Sequence, residues 1–461
     1  MSKLSLLLAA LGMGLVVASG VCASASPDPA SESALPTADG AVTRAGTSGE
    51  SGDVHGTASR WNVRQLATLR SLSLTALAAL PADPSNAVAD DPRAARFGEA
   101  LFFDPRLSAN GQVSCASCHK PQHAFADTTT VSTGIGTTRR NAPGLRGAAW
   151  QQWFYWDGRR DSQWAQALAP LEHADEHGLS RVEVVQVIAR DEGYRRAYGQ
   201  LFAEPLPPLE DEVRFARHAS PLGGEGARAA WAAMDADDRE WINRAFAGAG
   251  KVLAAFQRTL RPWPSRFDAY VAALDAGDMS GGGHLNAQEQ RGLALFIGER
   301  AQCTRCHNGP RLSNGEFKNI GLVRREDPVP DAGRLAAVRE VRGDPFNCLG
   351  SYSDADPEAC AELTFMKTAG SDLLAAFRVP SLRDVGRTAP YMHDGRFPTL
   401  EAVIGHYVAA PQQVFGHQEL EPLRLNADEI RELLAFLRAL DGIEPRGHAD
   451  AGYAPWRSGH D

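Results

Sequence analysis

Cys115, Cys118 and His119 stand in the run Cys115-Ala116-Ser117-Cys118-His119, and the same spacing returns at Cys303-Thr304-Arg305-Cys306-His307. Two thiols three positions apart, followed at once by an imidazole, suit covalent attachment of a c-type haem. The thiols reach the two vinyl groups of one porphyrin, and the histidine sits under the iron as an axial ligand. A zinc site built from both C-x-x-C pairs would leave the two trailing histidines without a task. A C-x-x-C redox pair would need a thioredoxin-like βαβ setting, which the chain lacks. The repeated motif therefore predicts two covalently bound haems, with His119 and His307 as iron ligands.

Such loops need helices to hold them. Gly98-Glu99-Ala100-Leu101-Phe102-Phe103 lies 17 residues before Cys115 (98 to 115), and Gly292-Leu293-Ala294-Leu295-Phe296-Ile297 lies 11 before Cys303 (292 to 303). Each hexamer puts its apolar residues in the last turn of a predicted helix that leads into a haem loop. Asn286 and Glu289 form a capping box for the second of these helices. Asn426 and Glu429 open a closing helix whose Ile430, Leu433, Leu434, Leu437 and Leu440 make one apolar stripe, ended by Gly442. Arg64 to Leu80, Val182 to Phe202 and Trp241 to Leu260 also read as helices, and strand signals are scarce. The expected fold is mainly α, with two cytochrome c-like haem domains, 61–281 and 282–445, dividing near Gly281-Gly282-Gly283, and a tail over 446–461.

A chain of 461 residues with 43% hydrophobic content supports two to three domains with proper cores. Its net charge of −9 argues against a nucleic-acid partner. Lys3, the apolar run Leu4 to Ala18 and Ala23-Ser24-Ala25 read as a secretory signal over 1–25, which predicts export to the periplasm. Cys22 offers a lipoprotein anchor as the alternative, although Val21 fits that site poorly. Residues 26–60 have almost nothing large and apolar and read as a disordered linker. No later segment is apolar for long enough to cross a bilayer. In an oxidising compartment Cys348 and Cys360 are expected to pair, inside an insertion-like stretch from Leu322 to Met366.

Further blocks bring a resemblance to the bacterial dihaem cytochrome c peroxidase and MauG family. They are Leu101-Phe102-Phe103-Asp104, Arg140-Asn141-Ala142-Pro143, Trp156-Asp157-Gly158-Arg159, Val379-Pro380-Ser381-Leu382-Arg383 and Thr388-Ala389-Pro390-Tyr391-Met392-His393-Asp394-Gly395. The resemblance implies that hydrogen peroxide reacts at the N-terminal haem. A six-coordinate C-terminal haem then relays electrons from an external donor: a small redox protein (cytochrome c or a cupredoxin) or a protein substrate. It also implies a tryptophan between the haems and a calcium ion near it. A peroxidatic iron needs an open position and a polar group beside it to move a proton. Counting from Trp156, the family's spacing calls for a glutamine ten residues on, a proline fourteen on and a glutamate twenty on. Gln166, Pro170 and Glu176 stand there. Trp156 is thus the expected inter-haem tryptophan, Glu176 the acid/base, Gln166 the group that orients bound oxygen, and Pro170 the residue that crowds the distal face. Taken singly, Glu176 would read as a solvated glutamate and Trp156 as a core residue. The Asn141 side chain with the carbonyls of Thr388 and Pro390 matches the family's calcium ligands, a hard oxygen set.

Three departures refine the expectation. The loop Val131 to Thr138, where ordinary dihaem peroxidases carry a histidine that ligates the first haem, has none, and His123 reads as a surface residue. The first haem is then five-coordinate or water-bound at rest and needs no reductive activation, as in the MauG branch. Seventeen residues after Pro390, where the peroxidases have a methionine ligand, stands Tyr407, the MauG-type ligand; Met392, Met366 and His406 are the alternatives. Ala301 replaces the tryptophan through which MauG oxidises its protein substrate, which puts that particular task in doubt. The competing reading is a dihaem electron carrier with no peroxide chemistry, which predicts two six-coordinate haems.

Overall fold

The structure is a computed structural model that describes residues 61–206, 209–323 and 330–445. The expected signal segment with Cys22, the expected linker over 26–60 and the expected tail over 446–461 lie outside the described residues. Among the described residues, twelve helices of nine residues or more carry the fold. In the first half they are α1 (Val63–Leu72), α2 (Pro92–Phe102), α3 (Gln163–Glu172), α4 (Arg181–Arg190), α5 (Glu192–Phe202), α6 (Glu225–Ala233) and α7 (Ala236–Thr259). Then follow α8 (Arg266–Asp275), α9 (Ala287–Ile297), α10 (Arg334–Gly343), α11 (Leu400–Ala409) and α12 (Ala427–Arg438). Extended structure among the described residues is limited to isolated bridges and one two-stranded ribbon. In it β1 (Phe317–Lys318) pairs antiparallel with β2 (Phe377–Arg378), Phe317 opposite Arg378.

Local chemistry sets most helix starts. Asn286 and Asn426 each exchange hydrogen bonds with the residue three on, Glu289 and Glu429, in full capping boxes. Two expectations are corrected. The first helix stops at Leu72 and does not run to Leu80, because Ser73 is extended (ψ 150°) and the next N–H, of Leu74, goes to the Asp268 carboxylate at 2.8 Å. The helix expected over Val182 to Phe202 is two helices. Asp191 turns extended between them and its carboxylate takes the Tyr194 N–H at 3.1 Å, so it caps α5 where an unbroken helix would have continued.

Among the described residues two large hydrophobic cores form, beside two small clusters around Trp156 and Trp153. One gathers α2, α3, α4 and α7 through Phe97, Leu101, Trp164, Leu168, Val185 and Val252. The other gathers α9 and α12 through Leu293, Phe296, Leu433 and Phe436, and also takes in Leu69 and Leu72 of α1 and Phe267 and Tyr270 of α8. The chain before the glycine run at 281–283 thus contributes to both cores. The repeated hexamers have one packing role. A Cβ on Gly98 would lie 1.8 Å from the Val252 carbonyl oxygen of α7, and a Cβ on Gly292 would lie 1.9 Å from the Glu432 oxygen of α12. In each half, the helix that leads into a motif crosses its partner backbone to backbone at this glycine.

The Val379-to-Arg383 block fastens the halves. Arg383, buried to 3% side-chain exposure, pairs with Asp268 of α8 at 2.6 Å. It also donates to the carbonyls of Leu72 at 2.7 Å and Pro310 at 2.9 Å, tying α1, α8 and the loop after the second motif to one guanidinium.

Candidate functional site

The two motifs are built alike. Cys115 to Cys118 is one helical turn from which His119 emerges, its N–H on the Cys115 carbonyl at 2.9 Å; the His307 N–H meets the Cys303 carbonyl at 2.8 Å. The four thiols are half-buried and unbridged. His119 donates Nδ1–H to the Phe125 carbonyl at 2.9 Å, and His307 does the same to Leu312 at 3.0 Å. That fixes the tautomer and leaves each Nε2 free to ligate a metal. Burial holds both imidazoles below the ordinary histidine range, so they are neutral and fit to ligate. Both acceptors are non-glycine residues in the left-handed region, Phe125 at φ 61° and Leu312 at φ 53°. Such backbone costs free energy and persists where the site requires it.

The residues fit a haem. Cys303, Cys306, His307, Tyr407, Met392 and Trp156 line one cavity of about 380 Å³. Arg378 lines it too, and its Nη1 finds no acceptor among the described residues; nor does Nη2 of Arg311. Burial pushes Arg378 down to about 9 and Arg311 down to about 10. Two buried guanidinium groups with idle N–H donors call for anionic oxygens, and the propionates of a haem are such groups. The zinc alternative required the thiols to converge, but among the described residues no group of three or more His, Cys, Asp or Glu side chains is placed to hold a metal ion.

Gln166 and Pro170 lie four residues apart on α3 and so share a face. After α3 the chain folds back, with the Glu176 N–H on the His173 carbonyl at 3.0 Å and the His177 N–H on the Pro170 carbonyl at 3.1 Å. This brings Glu176 beside the first motif, where its charge helps hold the Cys115 thiol up at about 12, after burial and the neighbouring Cys118. Burial raises Glu176 itself above the ordinary carboxylate range, against the pull of His173 and Arg159. Sequence reasoning missed two histidines that arrive with it. His173 Nδ1 lies 3.7 Å from the Glu176 carboxylate, half exposed. His177 is buried, donates Nδ1–H to the Leu107 carbonyl, and sets Nε2 3.9 Å from Cys115 Sγ. Their positions relative to Pro170 were the available signal. His123 is exposed.

Trp156 is buried between the halves. Its Nε1–H donates to the Asn141 carbonyl at 2.9 Å, and its own carbonyl accepts from the Arg378 N–H at 2.7 Å. Asn141 donates its side-chain amide to the Thr129 carbonyl at 2.7 Å and lines the cavity with Thr388 and Pro390. Tyr407, on α11, is half-buried, and its phenol is raised above the ordinary range by loss of hydration and then by Cys303 and Cys306. Of the alternative ligands, His406 is bonded to the Ile320 carbonyl at 2.7 Å and Met366 lies against Arg334 Nη2 at 3.7 Å. Met392 shares the cavity with Tyr407. Cys348 and Cys360 are joined in a disulfide.

A family model described as di-haem cytochrome c peroxidase matches residues 92–276. The methylamine utilization protein MauG of Methylorubrum extorquens is 33% identical over 355 residues, covering 76% of this chain and 78% of that protein. The cytochrome c551 peroxidase of Nitrosomonas europaea is 28% identical over 390 residues, covering 82% and 91%. Among solved structures, a MauG-like protein associated with microbial copper homeostasis superposes with a TM-score of 0.55 at 29% identity, covering 79% of this chain and 95% of that one. With a relative 33% identical over three quarters of its length, the chain belongs to the di-haem cytochrome c peroxidase and MauG family of haem oxidoreductases.

Proposed function

We propose that this is a periplasmic enzyme that reduces hydrogen peroxide at an open first haem and draws the electrons through a second haem. Cys115, Cys118 and His119 would hold one haem and Cys303, Cys306 and His307 another, the first supplying peroxide chemistry and the second electron relay. Glu176 would serve as the acid/base that moves a proton between the two oxygens of peroxide, a role favoured by its raised affinity for protons. The Gln166 amide orients the peroxide, and Pro170 limits what else fits beside it. Trp156, fixed by its bond to Asn141, lies on the route between the two sites. Tyr407 would hold the second haem together with His307. Asn141, Thr388 and Pro390 would hold a calcium ion near the route. The donor is a small redox protein, cytochrome c or a cupredoxin, or an oxidisable protein side chain.

One observation carries the reading. The loop 131–138 contains no histidine and its backbone is hydrogen-bonded to the carbonyls of Asp175 and Glu176, which supports a polar group in place of a ligating loop beside the first motif. The rival carrier has no use for a carboxylate whose proton affinity is raised there. Low-temperature EPR of the ferric holoprotein tests this. A high-spin signal beside a low-spin one, both changing on peroxide without prior reduction, is the expected result. Two low-spin haems inert until one electron is added would restore the ordinary peroxidase, and two that stay inert would leave a carrier.

A further inference from the structure

The stretch that lacks the histidine has a shape of its own. Thr133 and Thr137 pair across it. The Gly134 N–H donates to the Gly136 carbonyl, and the Thr138 N–H to the Ser132 carbonyl, both at 2.9 Å. The tip of this hairpin lies on the turn that carries Glu176. The Ile135 N–H donates to the Glu176 carbonyl at 2.9 Å and the Gly136 N–H to the Asp175 carbonyl at 3.0 Å. On its other side the turn is held by the Ala109 N–H on the His177 carbonyl at 2.8 Å. His173, Ala174 and Asp175 of the turn are exposed, so on that side the hairpin is its covering contact.

We infer that the hairpin 132–138 is a strap that positions Glu176 over the first haem site, with Gly134 as its positioning residue. This rests on the acid/base reading of Glu176. The approach is too close for a side chain: a Cβ on Gly134 would lie 2.3 Å from the Glu176 carbonyl oxygen and 2.8 Å from that of Asp175. Restoring ordinary contact at 3.4 Å moves the Glu176 backbone by about 1 Å, a displacement that costs on the order of 100-fold when it falls on a catalytic group. Gly136 provides an internal contrast. A Cβ there meets the Asp175 Oδ1 at 2.4 Å, the end of an exposed side chain that can swing away, and no Asp175 main-chain atom closer than 3.3 Å.

The test compares Gly134→Ala, Gly136→Ala, Glu176→Gln and the double variant Gly134→Ala/Glu176→Gln as holoproteins with matched haem content. Stopped-flow absorbance reads the rate of reaction with hydrogen peroxide across pH. Gly134→Ala is expected to lose about 100-fold and to flatten the pH dependence that Glu176→Gln also flattens, while Gly136→Ala stays within about threefold. The double variant is expected to match Glu176→Gln alone, because the strap acts only through that carboxylate. Hydrogen exchange on the unaltered holoprotein needs no variant to fold: the Ile135 and Gly136 amides are expected to be protected. A wild-type rate for Gly134→Ala, independent losses that multiply in the double variant, or free exchange of those amides would overturn the strap. If Glu176→Gln reacts at the wild-type rate, the acid/base reading itself fails, and a slow Gly134→Ala beside it would show that the hairpin acts elsewhere.

Discussion

Replacing Gly292 by alanine asks the crossing of α9 and α12 to admit one methyl group. The added Cβ would lie 1.9 Å from the Glu432 carbonyl oxygen and 2.9 Å from Phe436 Cβ. The oxygen belongs to helix backbone and cannot rotate aside, so the helices must part by about 1.5 Å to reach the 3.4 Å of ordinary contact. A gap of 0.5–1 Å forfeits about a quarter to a half of each dispersion contact across it, and this crossing carries Phe296, Leu433, Phe436 and Leu437. Overpacking of this kind costs about 1–3 kcal/mol, and a rigid backbone obstacle puts Gly292→Ala at the upper end. Gly199→Ala, in α5, is the control: its Cβ meets nothing within 4 Å. Alanine there should stabilise by about 0.5–1 kcal/mol, because glycine loses more freedom on entering a helix. Guanidinium unfolding of both holoproteins, followed by helical circular dichroism and by the Soret band, reads the two signs. The reasoning is refuted if Gly292→Ala unfolds at or above the midpoint of Gly199→Ala.

Three further outcomes are expected. In the holoprotein, Tyr407→Phe should replace the low-spin EPR signal of the second haem while Met392→Leu leaves it in place; the reverse pattern would move the ligand to Met392. Burial pushes Asp268 up, but Arg383 and the bonds from Ser265 and Leu74 outweigh it and hold the carboxyl below the usual range. Its contribution is therefore complete above the ordinary carboxylate pKa of about 4 and is lost as pH falls through the lower folded value. Asp268→Asn should cost about 3–5 kcal/mol at neutral pH, and the gap from wild type should narrow on acidification below about pH 4; a gap that widens would contradict the sign. Replacing both Cys348 and Cys360 by serine, which opens a loop of sequence separation 12, should cost roughly 2–3 kcal/mol in denaturant unfolding while the haem spectrum is unchanged. An altered Soret band would mean that the clamped segment shapes the second site.

The chain's local chemistry was legible without coordinates wherever the partners are near in sequence. Two thiols and a histidine within five residues define an attachment loop, because side-chain reach alone sets that spacing. Asn286 with Glu289 and Asn426 with Glu429 mark helix starts, because a cap needs only the residue three positions on. Gly98 and Gly292 were visible as a repeat, but only packing revealed what they repeat: a crossing too close for any Cβ. The tertiary structure alone decided what depends on distant backbone. Asp268 takes the Leu74 N–H and ends the first helix region, and Arg383 reaches Leu72 and Pro310 at once. Two buried guanidinium groups are left with idle donors around the second motif, and a histidine-free loop is folded onto Glu176. None of these has a period or a spacing, since each arises from which donors and acceptors burial leaves without water and must satisfy across the fold.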